Sequence, residues 1–293
     1  MALGAYVKWR QKTDTTSMKT AYPTYKESIW LLLTIIPIVL ILVVPLLILH
    51  LAQNGIAISL ISELALAIMI WIGLTKRKSY SFPSNRFPIS LLIISYLFLI
   101  SFHVLTEPLL NLLPQPETLS KLLEEVSAYP FLLFLFLVVL APVLEELLFR
   151  GIILDGYLKN YSPLMSILVS SLLFALFHGN LVQGIGALVM GILVGIIYWQ
   201  IKSIAFCISL HSLNNLTGFL LAWFVEPRQF ESTIQESIHH DPLYFSLYAS
   251  MFVIWTGCAW FIWNFHLKPV RHSLTQRPLQ PITETTANPV QDI

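Results

Sequence analysis

Two adjacent glutamates, Glu145 and Glu146, stand inside an apolar run that closes on Arg150. An ionised side chain near the centre of a spanning helix costs on the order of 3 kcal/mol, so a pair of them calls for a partner or a function. Successive helical side chains project about 100° apart, which lets one glutamate face a cavity while the other turns to a neighbour. Arg150 follows Glu146 by four residues, the same-face spacing at which a guanidinium meets a carboxylate. Two further segments add donors. His178 closes the stretch Phe174-Ala-Leu-Phe-His178, and His211 opens His211-Ser-Leu-Asn-Asn215, where His211 and Asn215 share a helical face. A carboxylate pair, two imidazoles and an amide on three separate segments can activate a water and hold an oxyanion. In that chemistry a glutamate is the general base, His178 orients the attacking water, and His211 with Asn215 stabilises the tetrahedral oxygen. A zinc reading uses the same atoms differently, with Glu145, His178 and His211 as ligands to a metal-bound water. The bland reading is a structural Glu146–Arg150 ion pair beside a protonated Glu145. The two-histidine zincin helix, the Gly-x-Ser intramembrane serine motif and the Gly-x-Gly-Asp aspartyl motif are all absent from the sequence.

The elements that must carry these groups are membrane helices. Of 293 residues, 56% are apolar and 11% charged, against roughly 25% charged in an ordinary soluble domain. A net charge of +1 gives no sign of nucleic acid. The apolar residues fall into eight runs, 28–49, 56–74, 89–110, 129–149, 163–177, 181–200, 203–225 and 244–265, most of them near the ~20 residues that cross a bilayer. The expected fold is therefore all-α, a polytopic membrane protein of about eight transmembrane helices around an intramembrane cavity. Alternating the connections leaves only Lys121 and Arg228, of 17 Lys and Arg, on the acidic side. By the positive-inside rule both termini are then cytoplasmic, and uncleaved anchors with compact loops suit a bacterial inner membrane. The expected organisation is a cytoplasmic tail over 1–27, a helical domain over 28–266, and a disordered cytoplasmic tail over 267–293.

Placement in depth sets a problem. His178 lies about 22 Å from the start of its helix and His211 about 12 Å from the start of its own, so upright helices would keep them apart. A Gly179-Asn180 turn within the membrane, lining a water-filled cavity, removes the conflict. Other residues read as structural. Glu63 is isolated and hydrogen-bonds within the bundle or faces its cavity, His103 and Glu107 form a local pair, Gly184, Gly186, Gly191 and Gly195 serve helix packing, and Cys207 and Cys258 pack as hydrophobes.

The three segments resemble the CPBP intramembrane proteases, the family of type II CAAX prenyl endopeptidases and of bacteriocin-processing and immunity proteins. The family pattern of Glu-Glu-x-x-x-Arg, Phe-x-x-x-His and His-x-x-x-Asn is filled by Glu145, Glu146 and Arg150, by Phe174 and His178, and by His211 and Asn215. The resemblance implies a protease core at about 129–225, with Glu145 and His178 activating water, Glu146, Arg150 and Phe174 supporting them, and His211 and Asn215 forming the oxyanion site. It also implies an endopeptidase acting on a membrane-associated or lipidated protein or peptide, in contact with membrane lipid, and it is compatible with either metal-free or zinc chemistry. Two other classes use the same residues, a non-catalytic immunity or scaffolding protein and a proton-coupled transporter. The latter calls for inverted repeats, of which the sequence shows none.

Overall fold

The structure, a computed structural model, describes residues 21–48, 55–113, 128–224, 234, 238 and 241–267. The basic tail before residue 21, the tail after 267, and Lys121, Arg228, His239, His240 and His272 lie outside the described residues.

The described residues form an all-α bundle of eight helical segments. Helix α1 begins at Tyr25, three residues ahead of the expected start, because Thr24 and Glu27 form a reciprocal capping box. It runs over Tyr25–Leu33 and, past Thr34, over Ile35–Ile48. There follow α2 (Gly55–Arg77), α3 (Ile89–Leu110), α4 (Pro130–Asn160), α5 (Pro163–Phe177), α6 (Leu181–Ile201), α7 (Ile204–Phe224) and α8 (Asp241–Phe261, continuing through Ile262–Leu267). Seven of the eight are long and apolar enough to cross a bilayer. The eighth, α5, keeps its expected bounds but has 15 residues and a rise of about 22 Å, short of the ~30 Å hydrocarbon core.

What ends α5 also positions the site. His178 is its C-cap, Gly179 takes φ +71° to reverse the chain, and the Asn180 side chain accepts from Gln183 N at 2.9 Å to start α6. The hairpin then closes tightly. A Cβ on Gly191 would sit 3.0 Å from Ser171 Cβ, and one on Gly195 would sit 3.0 Å from Ile167 Cγ2, so both glycines serve close approach as expected. Gly186 instead abuts His103 on α3.

Helix α4 runs eleven residues beyond its expected end at 149. It is π-helical over Phe134–Leu140 and Leu147–Leu154, with an α-helical segment, Ala141–Glu146, between them. The far half persists because it is packed all round. Gly151 faces the Phe82 ring, Gly156 faces Pro23, and Tyr157 is fully buried. At this end Asp155 gathers Lys159 at 2.7 Å, Arg77 at 3.3 Å and Lys202 at 3.3 Å. Ser84 bridges to Ser203, Ile204 N donates to Pro83 O at 3.0 Å, and the Asn160 amide donates to Ala21 O at 2.6 Å. The segments joined here are ones that the charge pattern assigns to a single side.

A Cβ on Gly156 would lie 2.6 Å from the backbone nitrogen of Pro23 and 2.8 Å from the carbonyl oxygen of Tyr22. Backbone cannot swing aside as a side-chain tip can, so Gly156→Ala is expected to cost about 1–3 kcal/mol. Thermal unfolding in detergent checks this, with Gly218→Ala as the control, since nothing lies within 4 Å of a Cβ there.

Candidate active site

The site is built around one buried carboxylate oxygen. Glu146 Oε1 accepts from Arg150 Nη1 at 2.7 Å, the pair expected from their spacing, and also from His211 Nδ1 at 2.9 Å across from α7. The Glu146 side chain is 0% exposed and that of Arg150 2%. Burying such a triad is costly unless the charges are paired and hydrogen-bonded, and here one oxygen serves two donors. Phe174 supplies the wall. Arg150 Cζ stands 4.4 Å from its ring centroid, while the His178 and His211 rings meet it edge-on at 4.9 and 5.8 Å. The motif phenylalanine thus touches the cation and both imidazoles.

Glu145, one residue along, points elsewhere. With His178 it lines a cavity of about 580 Å³ that is also walled by His211, Asn215, Asn214 and His103. The same two residues line a second cavity of about 250 Å³ on the α1–α2 side. Glu145 Oε2 has no hydrogen-bond partner and lies 3.9 Å from His211 Nε2, too far for a direct bond but within reach through a bridging atom. His178 Nδ1 donates to Phe174 O at 2.9 Å, since a carbonyl can only accept, and this leaves Nε2 as the ring's other nitrogen. His178 and His211 therefore meet at one cavity, with the Gly179–Asn180 turn beside it. The short α5 is what brings them together.

Asn215 is held by a defect in α4. The Ala141 amide, which would bond Leu137 O in an α-helix, donates to Phe136 O instead. The π-helical partner of Leu137 O would be residue 142, which is proline and has no N–H. Asn215 Nδ2 fills the gap, donating to Leu137 O at 2.9 Å. One of its two amide hydrogens is thereby fixed, and the other stays available at the cavity wall.

Two residues read as structural in the sequence line the cavities, Glu63 in one of its two expected placements and His103 against its expected one. His103 does not serve as a local partner for Glu107. Its Nε2 reaches Asn214 Oδ1 at 3.1 Å on the cavity wall, while Glu107 takes the Asn111 amide, the Tyr248 hydroxyl at 2.8 Å and Ile234 N at 3.1 Å. Helical spacing favoured the local pair, and tertiary packing overrode it. Glu63 lines the smaller cavity, and its Oε2 is buried with no hydrogen-bond partner. A lone glutamate in an apolar span was the available signal. Among the described residues no three His, Cys, Asp or Glu side chains gather closely enough to hold a metal ion. Nδ1 of His178 and of His211 is committed to Phe174 O and to Glu146 Oε1, which leaves Nε2 of each ring, with Glu145, as the atoms a zinc ion would take, the other ring nitrogen being held as it is in metal-ligating histidines.

Removing one partner of the buried triad should be far worse than removing two. Arg150→Ala is expected to cost about 3–5 kcal/mol by stranding Glu146, and Glu146→Gln with Arg150→Met to recover much of it; thermal unfolding in detergent reads both. Likewise Asn215→Ala, by stranding Leu137 O, should cost about 1–3 kcal/mol. Adding Pro142→Ala, which restores an amide to that carbonyl, should lessen the loss in a double-mutant cycle.

No curated protein and no solved structure matches the chain. A family model does, that of the type II CAAX prenyl endopeptidase Rce1-like proteins, over residues 127–217. The matched stretch contains all seven motif side chains, from Glu145 to Asn215, so residues 127–217 are a Rce1-like domain of the type II CAAX prenyl endopeptidase (CPBP) family.

Proposed function

We propose that this protein is an intramembrane endopeptidase that hydrolyses a peptide bond in a membrane-associated substrate, a CAAX-type prenylated protein being the class its family points to. The observation that carries the reading is the unpartnered Glu145 oxygen, set in a cavity wall with His178, His211 and Asn215. In this mechanism a water sits between Glu145 and His178 Nε2. Glu145 takes its proton as the oxygen attacks the scissile carbonyl. The Nε2 edge of His211 and the free Asn215 N–H face the developing oxyanion and stabilise it. Glu146 and Arg150 touch no substrate; they hold the His211 ring through Nδ1 and so aim Nε2. A cavity of about 580 Å³ is within the range of small-molecule pockets and large enough for a side chain or a lipid-bearing residue. Each step is assigned here to protein groups; a zinc ion held by Glu145 and the two histidine Nε2 atoms would supply the same activated water. The protein acts as a multi-pass membrane enzyme in contact with lipid, both termini on the cytoplasmic face of a bacterial inner membrane.

The test is cleavage of a quenched fluorescent, farnesylated CAAX peptide by detergent-purified protein. Wild type should cleave it, while Glu145→Ala and His178→Ala should lose about 10²–10⁴-fold, the usual contribution of general acid–base catalysis. Activity that persists in 1,10-phenanthroline leaves the water to Glu145 and His178, and activity that is lost there and restored by zinc gives it to a metal. No cleavage by folded wild type would remove CAAX processing, and a folded Glu145→Ala protein of full activity would remove the mechanism.

A further inference from the structure

Glu145 and His178 wall two cavities, and the two are chemically unlike. The candidate oxyanion donors, His211 and Asn215, line only the larger one. The smaller, about 250 Å³, has apolar walls from Ile35, Val39, Leu66 and Phe177, and it holds Glu63. Oε2 of Glu63 is buried without a hydrogen-bond partner, on a helix that contributes no motif residue. A buried carboxylate oxygen left open is expensive, and it is relieved by a cation or a donor brought in with a ligand.

Peptide hydrolysis brings one. Water oxygen bonds to the carbonyl carbon, one of its protons passes to Glu145, and the C–N bond then breaks as the nitrogen takes that proton. The products are a carboxylic acid and an amine, and transfer of the acid's proton leaves a carboxylate and an ammonium. The carbonyl must lie on the side of the oxyanion donors, which assigns the acyl half of the substrate to the larger cavity. The leaving half then falls on the other side of Glu145 and His178. Resting on the endopeptidase reading, we infer that the smaller cavity is the leaving-group subsite and that Glu63 receives the new ammonium of a short apolar product fragment. A charge-assisted bond forms there only as the amine is released, and so favours product-side chemistry over ground-state binding.

The experiment compares Glu63→Gln, which keeps shape and loses charge, with wild type on two substrates, the farnesylated peptide and its depsipeptide with an ester at the scissile bond. An ester releases an alcohol, which cannot become an ammonium. Glu63→Gln should lower kcat for the amide about tenfold, the scale of one charge-assisted bond, and leave the ester within about twofold. Equal loss on both substrates, or loss on neither, overturns the inference. A second readout does not need turnover. An apolar tripeptide with a free amine should stabilise wild type against thermal unfolding at about tenfold lower concentration than its N-acetylated form, and Glu63→Gln should erase that difference. Equal binding of the two tripeptides to wild type overturns the subsite even if the protein is active. A wild type that cleaves neither substrate but discriminates the tripeptides would sink the endopeptidase reading and leave an amine site.

Discussion

A single oxygen, Glu146 Oε1, ties α4 to α7 in the interior by accepting from Arg150 on its own helix and from His211 on the other. In a bilayer this contact cannot be replaced by water without opening the bundle, so it acts as a register pin. With His211 fixed through one nitrogen, the other is held 3.9 Å from Glu145 Oε2. Phe174 is then pressed between the guanidinium and the two imidazoles, and through it α5 is brought into the same arrangement. Glu145 is the beneficiary. Its neighbour absorbs the positive charge and the donors, which leaves Glu145 with an oxygen that no protein group satisfies.

The irregular backbone of α4 follows the same logic. A uniform α-helix would satisfy Leu137 O internally and give Asn215 nothing to bind. The first π-helical stretch and Pro142 open that carbonyl instead. The side chain that closes it is the one the motif places four residues after His211. The carbonyl freed here is met by a partner on the facing helix, as a solvent without hydrogen bonds requires.

Much of this was legible in the sequence because it is local. Apolar runs located the helices, the four-residue spacing of Glu146 and Arg150 announced their pair, and the conflict in depth between His178 and His211 pointed to a turn beside the cavity. The bond from His211 to Glu146 was not legible, since it joins residues 65 apart in sequence and no periodicity encodes which helices become neighbours. The length of α4 was missed because Arg150, Asp155 and Lys159 look like the end of a span. Packing against Phe82, Pro23 and Lys202 keeps them helical. His103 was discounted by helical spacing, an argument that concerns a single helix and says nothing about what faces it, whereas Glu63 faces a cavity as one of its two expected placements.

The fifteen-residue α5 carries one more consequence. Beside seven longer neighbours it is too short by about 8 Å for the hydrocarbon it stands in, a hydrophobic mismatch that lipid has to absorb. Headgroups and water must dip toward Gly179 and Asn180, or the leaflet must thin over them, with Leu176 and Leu181 exposed on either flank. The candidate site is thus placed under a local dimple in the bilayer. A chain tethered at the membrane surface could reach them there by a shallower descent than at any full-length helix.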